Sequence, residues 1–400
     1  MSQKVIVSKD IYHGLPTFPD DLTGLTAIVA GANGISGHYM LRIYALSRRP
    51  PNGEWPGHVE HLSIDFLKAP DEIATVFRQR NIRADYAFFF SYIQSPPKEG
   101  AGLWSAAEDL VRDNVQLLHN FLNGLALARS IPKTILLQLG AKYYGGHLGP
   151  VSIPAEESDP RVHLEPNFYY NQEDLLTEFA DHHGISWVTT RPSWIPGAVP
   201  DAAMNLCFPL AVYATVQKHL GDQLEYPSDL TAWEASQTMS SAQMNAYTSE
   251  WAVLSGNVNQ SFNAQDDCVF TWGKFWPKLA RHFGIQWKGP DTGDTAAFKQ
   301  VTTPYAPPPR GFGPPATIRY KFTLTEWAKR TDVQEAWKEI AATYKLREPA
   351  LRDIDRVFGF ADAAIFTKKL GFFGCVDSAE SMFKVFGEFM ELRMIPPFGS

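Results

Sequence analysis

The stretch Thr26-Ala-Ile-Val-Ala-Gly-Ala-Asn-Gly-Ile-Ser-Gly37 joins a short apolar run to a glycine-rich loop of the form GxxGxxG. The apolar run predicts a buried strand, and a helix is predicted to follow the loop. Glycine permits a tight turn and lets the backbone approach a pyrophosphate, whose charge is met by the free N–H groups at the helix N-terminus. The stretch therefore predicts a dinucleotide site, and the loop residues expected against the cofactor are Gly31, Asn33, Gly34, Ile35 and Gly37.

Short β-rich runs and helical patterns alternate through the rest of the first half. The predicted strands cover residues 26–30, 43–47, 61–64, 86–90, 134–139 and 186–190, and the predicted helices cover 71–80, 104–129 and 170–182. Such alternation is typical of βαβ units, and strands that are apolar throughout are covered by helices on both faces. We therefore predict an α/β fold, a doubly wound parallel-sheet Rossmann domain over residues 22–195. A smaller, mostly helical substrate lobe is predicted over residues 196–398.

The first predicted crossover is short. Only 12 residues separate the first predicted strand from the second, and several of them form the glycine-rich loop. A βαβ crossover needs about 10–12 residues with its helix included. Two hypotheses follow: a stunted first helix, or a segment near Arg42 and Ile43 that is missing from the numbering.

Composition excludes several classes of protein. The formal charge of −7 over 400 residues comes without a long run of one sign, so we expect neither a nucleic acid nor a membrane as partner. The N-terminus lacks an apolar stretch of signal length, which favours a cytoplasmic location. Cys207, Cys268 and Cys375 have no metal or redox spacing, so no metal is expected. The expected partner is a small molecule, and the chain is expected to be a monomer or a homodimer.

The ends of the second, third and fourth predicted strands indicate the cofactor. Where an NAD-preferring protein places a carboxylate, this sequence has Ser47, Arg48 and Arg49. Guanidinium groups complement a 2′-phosphate, so NADP(H) is expected, although the same pair is also compatible with an ordinary solvated surface. Asp65 is placed to accept from the adenine amino group. Phe66 beside it and Ser91 after the fourth strand are also expected at the cofactor.

The usual reaction centre of such folds, a Tyr with a Lys four residues later on one helix, is absent. None of the 15 tyrosines has Lys at that position, and Asp174 stands four residues past Tyr170. Lys142, at the end of the fifth predicted strand, is the candidate amine, and Tyr170, at the start of a predicted helix, is the candidate phenol. An ammonium nearby favours phenolate and lowers a phenol's pKa. Lys142 and Tyr170 are therefore predicted to form the catalytic pair and to contact the cofactor.

Tyr169 competes with Tyr170 for this role. Adjacent residues on a helix point about 100° apart, so only one of the two can face the cofactor. The other is expected to pack or to border the pocket. Further side chains are expected in the pocket wall, with structural packing as the alternative, and these are Tyr92, Tyr143, Trp194 and Phe208.

With these residues identified, the chain resembles the progesterone 5β-reductase and iridoid synthase-like (PRISE) family, an atypical branch of the short-chain dehydrogenases. The similarity covers nearly the whole chain. It is carried by LGAKYY, NFYYNQED, RPSWIPG, TAIVAGANGISG, LSRRPP, PSDLTAWEA, FNAQDD, TWGKFWPKLA and LGFFGCVDSAESMF. Ala141 and Tyr143 depart from plant members, which have a small polar residue and His there. The motif sequences are closer to those of fungal relatives, many of which are enzymes of secondary metabolism.

The resemblance implies an NADPH-dependent reductase of the activated C=C bond of an enone or enal. Carried over by motif, Lys142 is the lysine of the LQxGxK segment and Tyr170 the second tyrosine of NFYY. A small lipophilic carbonyl compound is then the expected substrate. Two alternatives stay open: a carbonyl reductase that uses the same residues, and a dinucleotide-binding sensor or ligand template without redox turnover.

Overall fold

The computed structural model describes residues 6–18, 24–37, 44–49, 55, 57–98, 104–200, 202, 205–293, 298–347 and 372–398. The strands are β1 (Ile6–Lys9), β2 (Tyr12–Pro16), β3 (Ala27–Ala30), β4 (Tyr44–Ser47), β5 (Glu60–Ser63), β6 (Tyr86–Phe89), β7 (Thr134–Gln138), β8 (Ser186–Pro192), β9 (Leu224–Glu225), β10 (Ser236–Gln237), β11 (Gln260–Ala264), β12 (Phe270–Thr271), β13 (Trp287–Lys288), β14 (Lys299–Thr302) and β15 (Thr317–Tyr320).

The helices are α1 (Pro70–Gln79), α2 (Ala107–Ala128), α3 (Phe168–His183), α4 (Cys207–Leu220), α5 (Leu230–Glu234), α6 (Ala242–Leu254), α7 (Trp272–Phe283), α8 (Leu324–Ala328), α9 (Thr331–Tyr344) and α10 (Ser378–Glu391), and residues Ala141–Tyr144 form a 3-10 helix. The crossover residues 38–43, with Arg42 and Ile43, lie outside the described ranges. The two hypotheses about their length therefore stay predictions.

Seven parallel strands form the central sheet in the order β5-β4-β3-β6-β7-β8-β11. The order reverses between β3 and β6, which is the arrangement of doubly wound Rossmann folds. Every residue of β3 is buried, because helices cover both faces of the sheet. The predicted fold class is confirmed. The sheet also takes its seventh strand from beyond residue 195, and the division of the chain at that residue stays a prediction.

Two apolar layers cover the sheet. One face packs on α1, α2 and α3, with Phe77, Phe121 and Leu176 in its core. The other face packs on α6 and on the β1–β2 hairpin, through Trp251 and Leu15. These layers fix the strand ends, from which the candidate site is built.

A helical region follows the sheet, with a separate core formed mainly by α4, α7, α9 and α10. Trp276, Trp337 and Phe386 are fully buried in it. The aromatic residues of this part of the chain, which could have served a lipophilic pocket, therefore pack mainly into the core. None of the helices in the described ranges is both long and apolar enough to cross a membrane.

The β14–β15 hairpin holds its connecting segment, residues 303–316, against the loop that follows β7. The backbone N–H of Arg310 donates to the carbonyl of Pro150 at 3.0 Å. A Cβ added to Gly145 would lie 3.2 Å from Pro309 Cβ, and one added to Gly149 would lie 3.1 Å from the Thr303 hydroxyl. The loop of residues 145–150 is therefore closely packed from outside.

Candidate active site

A cavity of about 700 Å³ opens at the carboxyl ends of the sheet strands, lined by residues that follow β3, β4, β5, β6, β7 and β8. Such crevices at the point where strand order reverses are where open α/β sheets bind ligands. Fourteen residues that the sequence analysis assigns to the site line it, and they are Gly31, Asn33, Gly34, Ile35, Ser47, Arg48, Arg49, Asp65, Phe66, Ser91, Tyr92, Lys142, Tyr169 and Trp194.

The glycine loop leaves no room for a side chain at Gly31 or at Gly37. Gly31 has φ +83°, and a Cβ there would lie 2.7 Å from the backbone nitrogen of Ser91. Gly37 does not line the cavity; a Cβ on it would lie 2.4 Å from the carbonyl oxygen of Gly31. Gly37 therefore supports the loop from behind, while Gly31 and Gly34 form the cradle that a pyrophosphate would occupy.

The turn after β4 presents two guanidinium groups at the mouth of the cavity. The carbonyl of Arg49 accepts from Asn33 Nδ2 and from Ser47 Oγ, both at 2.7 Å. The carbonyl of Arg48 accepts from Ser63 Oγ at 2.9 Å. The backbone of this turn is therefore fixed by its neighbours, while both arginine side chains are exposed.

A chain of polar contacts joins the glycine loop to the end of β7. Gln138 Nε2 donates to Ser36 Oγ at 2.8 Å, and Asn245 Nδ2 donates to Gln138 Oε1 at 2.5 Å. Ser36 and Gln138 both line the cavity. The sequence analysis missed this link because Gln138 closes an otherwise apolar strand and Asn245 comes from the distant helix α6.

Lys142 lies on the 3-10 helix that directly follows β7. Its Nζ lies 5.1 Å from the centre of the Trp104 ring and 5.7 Å from that of Phe168. Burial lowers the pKa of Lys142 to about 8, although the charge of Glu165 acts in the opposite direction. Desolvation disfavours the charged ammonium, and this explains the direction of the shift. The amine is therefore charged at neutral pH but close to titration.

Tyr169 lines the same cavity from the first turn of α3. Its hydroxyl lies over Gly140, so that a Cβ on Gly140 would be 2.8 Å from the phenol oxygen. Burial, together with the neighbouring Tyr92, raises the pKa of Tyr169 well above its ordinary value of 10. The phenol therefore keeps its proton at neutral pH and can donate a hydrogen bond into the cavity.

Asn167 joins the backbones that carry these two residues. As the N-cap of α3, its side-chain oxygen accepts from the Tyr169 N–H at 3.2 Å, and its amide nitrogen donates to the Lys142 carbonyl at 3.2 Å. The sequence analysis missed Asn167, although Asn before a helical pattern is itself an N-cap signal. The residue fixes the start of α3 relative to the 3-10 helix.

Tyr170, the phenol that the sequence analysis paired with Lys142, does not line the cavity. It is 7% exposed, and its hydroxyl donates to the Tyr143 carbonyl at 2.6 Å and accepts from the Val162 N–H at 2.8 Å. Adjacent helical residues point about 100° apart, and the orientation of α3 turns Tyr169 toward the cavity. The structure therefore places Lys142 and Tyr169 on the wall of one cavity, and Tyr170 does not line it.

Two other expected pocket residues also lie outside the wall. Tyr143 is buried beneath the guanidinium group of Arg191, 3.5 Å from its ring centre, and donates to Glu173 Oε2 at 3.0 Å. Phe208 is 3% exposed and packs edge-on against Phe389 in the helical core. Tyr143 was expected in the pocket wall because it follows a strand end, and Phe208 because it lies in the aromatic-rich helical lobe. In the structure both side chains are buried and pack against other protein side chains instead.

The fold described above, the family match and the named relatives agree on the class: the chain is an oxidoreductase of the short-chain dehydrogenase/reductase superfamily. The family model described as PRISE-like Rossmann-fold domain matches residues 64–302, and the chain belongs to this family. The predicted resemblance is confirmed. In the described residues, no three His, Cys, Asp or Glu side chains are grouped so that they could hold a metal ion.

Named relatives align over most of the chain. A short chain dehydrogenase of Penicillium aethiopicum is 26% identical over 93% of this chain and 99% of its own length. An (S)-8-oxocitronellyl enol synthase of Catharanthus roseus is 27% identical over 92% of each chain. A 3-oxo-Δ(4,5)-steroid 5β-reductase of Arabidopsis thaliana is 24% identical, over 92% of this chain and 93% of its own.

Solved structures show the fold alone. The UDP-glucose 4-epimerase of Brucella ovis, solved in complex with NAD, superposes with a TM-score of 0.51 at 15% identity. The match covers 68% of this chain and 88% of the epimerase. It supports the Rossmann architecture of the sheet.

Proposed function

We propose that this protein is an NADPH-dependent reductase of a C=C bond conjugated to a carbonyl group. The observation that carries the proposal is that Lys142, charged at neutral pH, and the protonated phenol of Tyr169 both line the cavity that the glycine loop also lines. Reduction of a carbonyl compound requires a nucleotide site and a hydrogen-bond donor in the same cavity.

The residues present fit a dinucleotide phosphate. Gly31 and Gly34 line a cradle that a Cβ at Gly31 would close, and Arg48 and Arg49 stand where a 2′-phosphate requires positive charge. Lys142 would bind the nicotinamide ribose. When bound, NADPH would supply a hydride to the β-carbon of the substrate.

Tyr169 would donate its hydroxyl proton in a hydrogen bond to the substrate carbonyl oxygen. Negative charge grows on that oxygen as the enolate forms, so the bond is stronger in the transition state than in the ground state. A phenol with a raised pKa suits this role because it holds its proton throughout. A proton taken up from solvent at the α-carbon then converts the enolate into the saturated carbonyl compound, with NADP⁺ as the other product.

The family supports the choice of reaction. The names of two relatives describe an enol synthase and a reductase of 3-oxo-Δ(4,5) steroids, which are enones. The cavity wall supports a small lipophilic carbonyl substrate, since it includes the apolar side chains of Trp104, Phe168, Trp194 and Ile195.

The test is NADPH oxidation with a panel of simple enones and enals, followed by identification of the product. The proposal predicts the saturated ketone or aldehyde. An allylic alcohol as the main product would contradict it and identify a carbonyl reductase instead. If NADPH binds but is not oxidised with any of the substrates, the dinucleotide-binding sensor becomes the better description.

A further inference from the structure

Gly140 is the glycine of the LQxGxK segment, and the proposed reaction gives it no role. It lies between β7 and the 3-10 helix that carries Lys142, and it lines the cavity together with Tyr169. Its backbone is extended, with φ 171° and ψ 175°. Extended backbone is open to residues of every kind, so the torsion angles do not explain why a glycine stands here.

The space beside Gly140 gives the explanation. A Cβ at this position would lie 2.8 Å from the phenol oxygen of Tyr169, 3.5 Å from the Cζ carbon of the same ring and 3.6 Å from the carbonyl oxygen of Pro192. The first distance is well inside van der Waals contact, whereas the other two are ordinary contacts. The phenol oxygen therefore occupies space that the methyl group of an alanine would need.

The backbone at Gly140 is held on both sides. Before it, the N–H of Leu139 donates to the Thr190 carbonyl at 2.8 Å, which continues the pairing of β7 with β8. The carbonyl of Gly140 itself accepts from the Tyr143 N–H at 2.9 Å, in the 3-10 helix. A shift of the chain would break these bonds, whereas a tyrosine side chain can turn about its χ angles. An alanine at this position would therefore push the phenol aside.

We propose that Gly140 is a positioning residue, whose lack of a side chain lets the Tyr169 hydroxyl reach the substrate carbonyl oxygen. The inference rests on the proposed function, in which this hydroxyl donates a hydrogen bond to the growing enolate. To regain an ordinary contact of 3.4 Å with an alanine Cβ, the phenol oxygen must move by about half an ångström or more. Misplacement by 1 Å can slow an enzymatic reaction about 100-fold, so a shift of this size matters.

A double-mutant cycle separates this role from a general effect on the cavity. Single-turnover NADPH oxidation with a simple enone should be about 10-fold slower in Gly140→Ala than in the wild type. Tyr169→Phe removes the oxygen at 2.8 Å and leaves the ring carbon at 3.5 Å. Adding Gly140→Ala to Tyr169→Phe should therefore change the remaining rate less than about twofold.

Two controls accompany the cycle. Added to Tyr170→Phe, which alters a residue that does not line the cavity, Gly140→Ala should again slow the reaction about 10-fold, because the two changes are independent. Gly57→Ala is the control for the substitution itself. Gly57 is exposed in a turn, and a Cβ there would meet no atom of the described residues within 4 Å, so the rate should stay at the wild-type value.

A crystal structure of Gly140→Ala tests the displacement without turnover. The Tyr169 hydroxyl should have moved away from residue 140 by about half an ångström or more, with the affinity for NADP⁺ retained. If Gly140→Ala does not fold, Gly140→Ala/Tyr169→Phe should fold, because the short contact is then absent. Failure of both variants to fold would overturn the inference.

The inference is also overturned if the phenol keeps its position in Gly140→Ala, or if the alanine slows Tyr169→Phe as much as it slows the wild type. Weaker NADP⁺ binding in Gly140→Ala would overturn it as well, because it would identify a cofactor contact. A wild type that reduces no enone would contradict the proposed function instead. The position of the phenol in the alanine variant would still test whether Gly140 positions Tyr169.

Discussion

The two ends of the cavity are built by different means. At the nucleotide end, backbone and exposed groups dominate: a glycine loop whose shape leaves no room for Cβ atoms, and an arginine turn held through its own carbonyls. At the reaction end, buried side chains dominate, and burial shifts the pKa values of Lys142 and Tyr169. The first end depends on local chain geometry, and the second depends on how distant elements dock.

The largest effect is expected at the reaction end, from Lys142→Met. Loss of the ammonium should lower kcat/KM about 10²- to 10³-fold, the scale of removing one preorganised electrostatic group. The cofactor-free protein should become more stable at pH 7. Because burial lowers the pKa of Lys142 from 10.5 to about 8, charging it destabilises the fold by about 2–4 kcal/mol below pH 8.

That gain in stability should shrink as the pH rises from 8 to 10.5. Over this range the lysine is neutral in the folded protein, and the remaining cost is that of removing its proton, which falls to zero near pH 10.5. Urea unfolding of both proteins at pH 7 and pH 10 measures it. If the two proteins are equally stable at both pH values, Lys142 is not desolvated and the contrast between the two ends fails.

The pH profile gives a second test of the same amine. The pKa of about 8 predicts that kcat/KM falls up to tenfold for each pH unit above 8, because the free enzyme loses the charge of Lys142. Lys142→Arg should move this alkaline limb of the profile, the fall in kcat/KM, beyond pH 10, since a guanidinium keeps its proton there. An unchanged limb in the arginine variant would assign the titration to another group.

At the nucleotide end, we expect Arg48→Ala and Arg49→Ala to act on the cofactor alone. Each lost charge-assisted contact should raise the KM for NADPH about 10-fold or more, while the KM for NADH stays within about twofold. Steady-state titration of both cofactors measures this, with Arg80→Ala as the surface control. Equal loss with NADH and NADPH would remove the arginine pair from the recognition of the 2′-phosphate.

A smaller effect is expected from Asn167, which positions the reaction end. Asn167→Ala should lower the free energy of unfolding by about 0.5–2 kcal/mol, as for other lost N-caps, and lower kcat about 3- to 10-fold. Asn167→Asp keeps the acceptor for the Tyr169 N–H but, when ionised, has no donor for the Lys142 carbonyl. It should regain stability without regaining kcat. Recovery of both would limit Asn167 to capping the helix.

Sequence reasoning predicted residues that line one end of the cavity because their determinants are local. A GxxGxxG loop after an apolar strand, and an arginine pair after the next strand, carry their geometry in a few consecutive residues. The six predicted strands and the doubly wound class followed in the same way, from the alternation of apolar runs and helical patterns. The seventh, β11, was missed because its sequence Gln-Ser-Phe-Asn-Ala is largely polar. The side chain of buried Asn263 accepts from Tyr144 and donates to the Ala155 carbonyl, partners that the sequence does not indicate.

The reaction end was only half predicted. Lys142 follows directly from the end of β7, but the choice between Tyr169 and Tyr170 depends on the rotation of α3 about its axis. The rotation depends on how α3 docks on the 3-10 helix. Asn167 signals the start of α3, but its bond to the Lys142 carbonyl, 25 residues away, is not part of any local pattern.

The central claim, that Tyr169 and not its neighbour faces the reacting carbonyl, is tested most directly by single-turnover NADPH oxidation of Tyr169→Phe and Tyr170→Phe at saturating cofactor and enone. Tyr169→Phe should be slower about 10²- to 10³-fold with little change in stability. Tyr170→Phe should stay within about threefold of wild type yet lose about 1–3 kcal/mol of unfolding free energy, because it leaves the Tyr143 carbonyl and the Val162 N–H without partners. The reverse pattern, with the rate lost in Tyr170→Phe and kept in Tyr169→Phe, would contradict the account.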